Sequence, residues 1–103
     1  MAKAKDENII KGKTQTGIEF TLDKRIKDDA RLLFWMARIQ NKDLSLQEQN
    51  SALFALLEVI FGSGEGLKVF LNEVAAKHDG VADVQSLFVE LNDMFEALQI
   101  KNS

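Results

Sequence analysis

The segment from Ile26 to Ile39 carries apolar side chains on two nearly opposite sides of a helix, which is more greasy surface than a small bundle buries by itself. At about 100° per residue, Ile26, Ala30, Leu33, Phe34 and Ala37 form one stripe, and Leu32, Trp35, Met36 and Ile39 form a second. One stripe can face the core of its own domain. The other needs a home, and the expected home is another chain.

A chain of 103 residues fits one domain, with 1–8 as a flexible basic lead-in and 9–103 as a helical domain with an N-terminal hairpin. Hydrophobic residues at 46% and charged residues at 28% argue against general disorder. With no Cys, disulfide frameworks and thiolate zinc sites are excluded, which fits a reducing compartment. Lys3, Lys5, Lys11 and Lys13 are not followed by the apolar run of a signal peptide, and no stretch has the length of a membrane span. The expected location is the cytoplasm, with no membrane partner. Residues 1–27 hold seven Lys/Arg against four acids, and the remainder holds six against twelve. A basic arm therefore precedes an acidic body that repels phosphates, so nucleic acid is not an expected partner.

Ile9-Ile10-Lys11 and Ile18-Glu19-Phe20-Thr21-Leu22 read as two short strands around the turn Thr14-Gln15-Thr16-Gly17. A first helix is expected to begin near Arg25 to Asp28, with Asp23 as cap, and to end near Asn41. Ser45-Leu46-Gln47-Glu48 is a capping box opening a Leu-rich second helix. Gly62, Gly64 and Gly66 break it. A third helix follows with Leu67, Phe70, Leu71, Val74 and Ala75 at helical spacing and Gly80 as its stop. Asp83 then caps a fourth, in which Val84, Leu87, Phe88, Leu91, Met94, Phe95 and Leu98 share an arc of about 120°. The expected class is mainly α, about four helices in a small bundle with a short N-terminal β-hairpin; Lys101 to Ser103 are expected to fray.

No catalytic constellation emerges. His78 is the single imidazole, so neither a histidine metal cluster nor a Ser/His/Asp arrangement has its parts, and its place in a last helical turn complements the helix dipole. The glycine loop lacks both the preceding strand of a dinucleotide site and the Lys-Ser/Thr pair of a Walker loop, so it reads as an interhelical turn. Asp28, Asp29 and the acids of the fourth helix read as solvated surface, with Glu90, Asp93, Glu96 and Gln99 away from the apolar arc. The expectation is a binding protein, not an enzyme, with no cofactor and no metal. Trp35 has two readings: a core plug with Leu32 and Ile39, or a contact anchor. Leu32, Trp35, Met36 and Ile39 are the candidate partner-binding residues, with the fourth helix as the alternative surface. Unplaced apolar surface also makes a homo-oligomer an expectation.

From Ile9 to Leu98 the order of features resembles the tail assembly chaperones of long-tailed bacteriophages and prophages. The matching residues are Phe20-Thr21-Leu22-Asp23, Asp28-Asp29, Leu53 to Phe61, and Val84 to Leu98 ending in Met94-Phe95-Glu96-Ala97-Leu98. Ala30 departs from the pattern, standing where a large aromatic is expected, with Phe34 and Trp35 a turn later. The resemblance implies a non-enzymatic protein that coats the tape measure protein, keeps it soluble and yields to tail tube protein as the tube polymerises. It also implies, for many members, a longer form made by ribosomal frameshifting. The rival expectations are a virion or head-tail joining protein and a helical DNA-binding regulator.

Overall fold

The computed structural model describes residues 6–62 and 64–100. The first five residues of the basic lead-in and the tail from Lys101 to Ser103 lie outside the described residues.

A 3₁₀ turn at Asp6–Asn8 leads into strand β1 (Ile9–Lys13), which pairs antiparallel with β2 (Glu19–Asp23), Ile9 opposite Asp23 and Lys13 opposite Glu19. The period-two pattern acts in β2, where Phe20 and Leu22 are buried while Glu19 and Thr21 face water. Thr14 closes the intervening turn twice over: its N–H donates to the Ile18 carbonyl at 2.9 Å, and its Oγ1 accepts from the Ile18 N–H at 3.0 Å. Gly12 lies under the ring of Phe20, so close that a Cβ there would sit 2.6 Å from Phe20 Cζ. Only glycine leaves room for that ring.

The first helix starts later than the Asp23 cap implied. Asp23 accepts the Arg25 N–H and caps a 3₁₀ turn at Lys24–Asp28, which ends at Asp29 in extended backbone. Asp29 then caps α1 (Ala30–Ile39) by accepting from the Arg31 N–H at 2.8 Å. Two aspartates in series thus offer the backbone two separate helix starts, and the second is the one that propagates. Ile26 belongs to the 3₁₀ turn and drops out of the α1 stripe.

Helix α2 (Leu46–Phe61) opens with the expected box, Ser45 Oγ accepting from the Glu48 N–H and the Glu48 carboxylate accepting from the Ser45 N–H, both at 3.1 Å. Ala52, Leu53, Leu56 and Leu57 are buried, whereas the first turn faces solvent and leaves Leu46 exposed. After α2 the chain turns through Gly62 and Gly64, at φ of 76° and 111°, into α3 (Glu65–Lys77). Phe70 of α3 stacks on Phe61 of α2 with ring centroids 4.4 Å apart. Asp83 caps α4 (Val84–Ala97) by accepting from the Ser86 N–H at 2.8 Å.

The core gathers Ile18, Phe20 and Leu22 of the hairpin, Leu32 of α1, Leu53, Leu56 and Leu57 of α2, Phe70 and Val74 of α3, and Leu87, Leu91, Met94, Phe95 and Leu98 of the α4 region. Among the described residues the hairpin has no second sheet to lean on, and it closes against the helices instead. This is the mainly α architecture expected: four helices with an N-terminal hairpin. Among the described residues no helix is long and apolar enough to cross a membrane.

Candidate interaction surface

Helix α1 is apolar on both sides, and the structure decides which side is free. Leu32 is fully enclosed, and Trp35, Met36 and Ile39 are half-buried and packed against the core. Leu33 and Phe34 are 52% and 55% exposed, with Ala30 and Ala37 exposed on the same stripe. Of the four candidate contact residues, Leu32 is corrected to core, whereas Trp35, Met36 and Ile39 pack against the core yet stay partly accessible, less so than Leu33 and Phe34. The cause is area. Burying Leu, Trp, Met and Ile removes far more apolar surface from water than burying a stripe in which two of four residues are alanine.

Phe34 is held by its neighbours. The Trp35 ring meets it edge-on, at 4.9 Å between centroids and 80° between planes, and the Arg38 guanidinium lies 5.9 Å from the Phe34 centroid. Arg38 also reaches Glu48 of α2 at 3.9 Å, and Arg31 pairs with Asp29 at 2.7 Å. The exposed stripe is thus bordered by two guanidinium groups. On the other flank of α1, Met36 and Ile39 line an apolar cleft of about 280 Å³ whose far wall is Phe88, Leu91 and Phe95 of α4 and whose floor is Leu56. Of the four expected contact residues, these two border an open cleft, Trp35 sits in a separate indentation beside Val59 and Glu58 of α2, and Leu32 is core.

A buried polar cluster ties the hairpin to α4. Glu90 of α4 is fully buried, not solvated as its place beside the apolar arc implied. Its carboxylate accepts from Thr16 Oγ1 at 2.8 and 2.9 Å and lies 2.7 Å from His78 Nε2. Asp93, one turn further along α4, accepts the Gln15 N–H at 2.8 Å. These bonds fasten the hairpin turn and the α3–α4 corner to α4. A signal for Glu90 existed: it falls only about 40° from Met94 on the helical wheel, at the edge of the buried arc. Among the described residues no group of three or more His, Cys, Asp or Glu side chains is arranged to hold a metal.

No family model matches the chain, and no curated protein or solved structure matches it either. Function therefore rests on what the surfaces can do.

Asp23, Asp29, Glu48, Asp83 and Glu90 are all held below their ordinary range, and because exposed pairs stabilise little the buried Glu90 carries most of the acid sensitivity. Hydrogen bonds from the Arg25 side chain and N–H hold Asp23 at about 2, against an ordinary 3.8, and Arg31 holds Asp29 at about 2 in the same way. Burial works against the charged form of Glu90, but hydrogen bonds from His78, Thr14 and Thr16 outweigh it and keep the carboxyl below its ordinary 4.5. Each group is more acidic folded than unfolded, so its stabilisation is complete above the unfolded value and disappears as pH falls toward the folded one. The urea midpoint is expected to fall between about pH 5 and pH 2, and Glu90→Gln is expected to flatten that slope while lowering the midpoint at neutral pH. A pH-independent midpoint across this range would contradict the assignment.

Proposed function

We propose that this chain is a bacteriophage or prophage tail assembly chaperone that binds the tape measure protein and keeps it soluble during tail assembly. One observation carries the reading: α1 is anchored by its Leu32 stripe and presents Leu33 and Phe34, each more than half exposed, on the other. Such a face is ordered before its client arrives. An aromatic anchor fixed between Trp35 and Arg38 has little freedom left to lose on contact, which favours binding without a large ordering cost. The cleft beside Met36 and Ile39 adds apolar surface next to it. The order of features from Phe20-Thr21-Leu22-Asp23 to Met94-Phe95-Glu96-Ala97-Leu98 supports the same reading through its resemblance to that family.

Chaperone work requires contacts that hold an apolar client and then release it to tail tube protein. A small apolar face on a net acidic domain suits this, because the remaining charge keeps the complex dispersed while the contact area stays modest. The test is co-expression with a tape measure protein of the same phage or prophage. The expected result is a soluble complex, loss of tape measure protein to the pellet when Phe34→Ser replaces the wild type, and absence of this chain from purified particles by mass spectrometry. Failure to obtain either a complex or improved solubility would overturn the proposal. Stoichiometric presence in finished particles would turn it into a structural joining protein.

A further inference from the structure

Charge divides this molecule by helix. Helix α1 contains Arg31 and Arg38 and no acid, whereas α2 contains Glu48 and Glu58 and α4 contains Glu90, Asp93 and Glu96, with no Lys or Arg in either. The contrast extends to the flanks. Residues 24–42 carry six Lys/Arg against two Asp, and residues 43–100 carry two Lys against ten Asp/Glu. In an acidic protein the helix that exposes Leu33 and Phe34 is therefore the basic one.

The two arginines stand where a partner lying along the stripe meets them. On the helical wheel Phe34 is followed at about 40° and 60° by Arg38 and Arg31, and the Arg38 guanidinium already rests near the Phe34 ring. Their present pairs are weakly shielded: Arg31, 70% exposed, pairs with the α1 cap Asp29, and Arg38, 37% exposed, touches Glu48 of α2 only at 3.9 Å. Exposed pairs of this kind stabilise little, so the guanidinium groups retain capacity to meet another carboxylate. Lys27 and Lys42 extend the positive border beyond each end of α1, and both are exposed.

We propose, resting on the reading of α1 as the client face, that this surface recognises an acidic amphipathic helix: a segment whose apolar stripe covers Leu33 and Phe34 and whose Asp/Glu flank lies against Arg31 and Arg38. Helix-on-helix packing suits the geometry, since the exposed apolar residues follow i, i+3, i+4, i+7 from Ala30 to Ala37. A flat anionic membrane is the weaker match. Its recognition needs a deep apolar face to insert, and here only two large apolar residues project from a ten-residue helix whose other stripe is committed to the core.

The test uses the full chain and two synthetic peptides of about three heptads each, both with Leu at the a and d positions, one with Glu and one with Lys at the remaining charged positions. The Glu peptide is expected to bind, at least about tenfold more tightly than the Lys peptide. Phe34→Ser and, separately, Arg38→Glu are expected to weaken it at least about tenfold while the thermal midpoint of the chain stays near the wild-type value. Raising salt to about 0.5 M is expected to narrow the gap between the peptides. Equal binding of both peptides, binding of neither, preference for vesicles of anionic phospholipid, or self-association of the chain through Phe34 would each overturn this inference. The tape measure co-expression separates the two claims: if that complex forms while the Glu peptide fails to bind, the acidic-helix chemistry of the client is wrong and the chaperone reading stands. If the peptide binds and the complex does not form, the reverse holds.

Discussion

Leu32→Ala is expected to lower the free energy of unfolding by about 3 kcal/mol, and Leu33→Ala to change it by less than about 0.5 kcal/mol. The two leucines are neighbours in the same helix with the same propensity, so nothing intrinsic to the residue separates them. Burial does: Leu32 is wholly enclosed, whereas Leu33 is half exposed. Truncating Leu32 removes its transfer free energy and leaves a void in the shared core, and the packed surroundings relax only partly. Truncating Leu33 removes atoms that water already reaches. For a domain of this size the first change corresponds to a fall of roughly 15 °C in thermal midpoint, and urea unfolding of the two variants with the wild type checks both. Equal losses would mean that α1 buries both stripes, and the exposed contact face would cease to exist. In binding, the order is expected to reverse, with Leu33→Ser weakening client capture more than its effect on stability accounts for.

Glu90→Ala is the second large effect, a loss of about 3 kcal/mol. The carboxylate serves three structural elements at once: α4 that bears it, the hairpin turn through Thr16, and the α3–α4 corner through His78. Removing it strands a hydroxyl and an imidazole that are partly shielded from water, and it opens a cavity where the side chain was. Thr16→Val is expected to cost about 1 kcal/mol on its own. The double variant is expected to lose less than the sum by more than about 0.5 kcal/mol, because both changes break the same contact. Hydrogen exchange offers a second check: the Gln15 and Ile18 amides, bonded to Asp93 and Thr14, are expected to exchange faster in Glu90→Ala than amides of the α2 core do. Additive losses, with hairpin and α2 amides affected alike, would place Glu90 outside the contact that holds the turn.

Much of the architecture was legible because local chemistry carries it. The hairpin showed in the alternation Ile18-Glu19-Phe20-Thr21-Leu22, the second helix in the Ser45 to Glu48 box, and the fourth in an apolar arc starting after Asp83. Other features escaped for physical reasons. Asp23 and Asp29 are both good caps, and which of them starts the long helix depends on where the chain must turn after β2, a matter of tertiary packing. The facing of α1 depends on its neighbours too. A helix with two apolar stripes has no inside until another element chooses one, and here the choice follows the larger stripe. Glu90 was misplaced because charge at the edge of an apolar arc normally stays wet, and the partners that draw it inward come from positions about twelve and seventy-four residues away in sequence.

The close fit of Phe20 over Gly12 gives the N-terminal ribbon a built-in alignment key. Shifting the two strands by a single position would bring the ring over Lys11 or Lys13, whose side-chain stems occupy the space it needs, and would turn Leu22 outward. A two-stranded ribbon is ordinarily prone to slide, since few bonds hold it and any offset remakes most of them. Here the Gly12–Phe20 fit opposes a one-residue slip, and the observed pairing is the one that brings the turn residue Thr16 to Glu90.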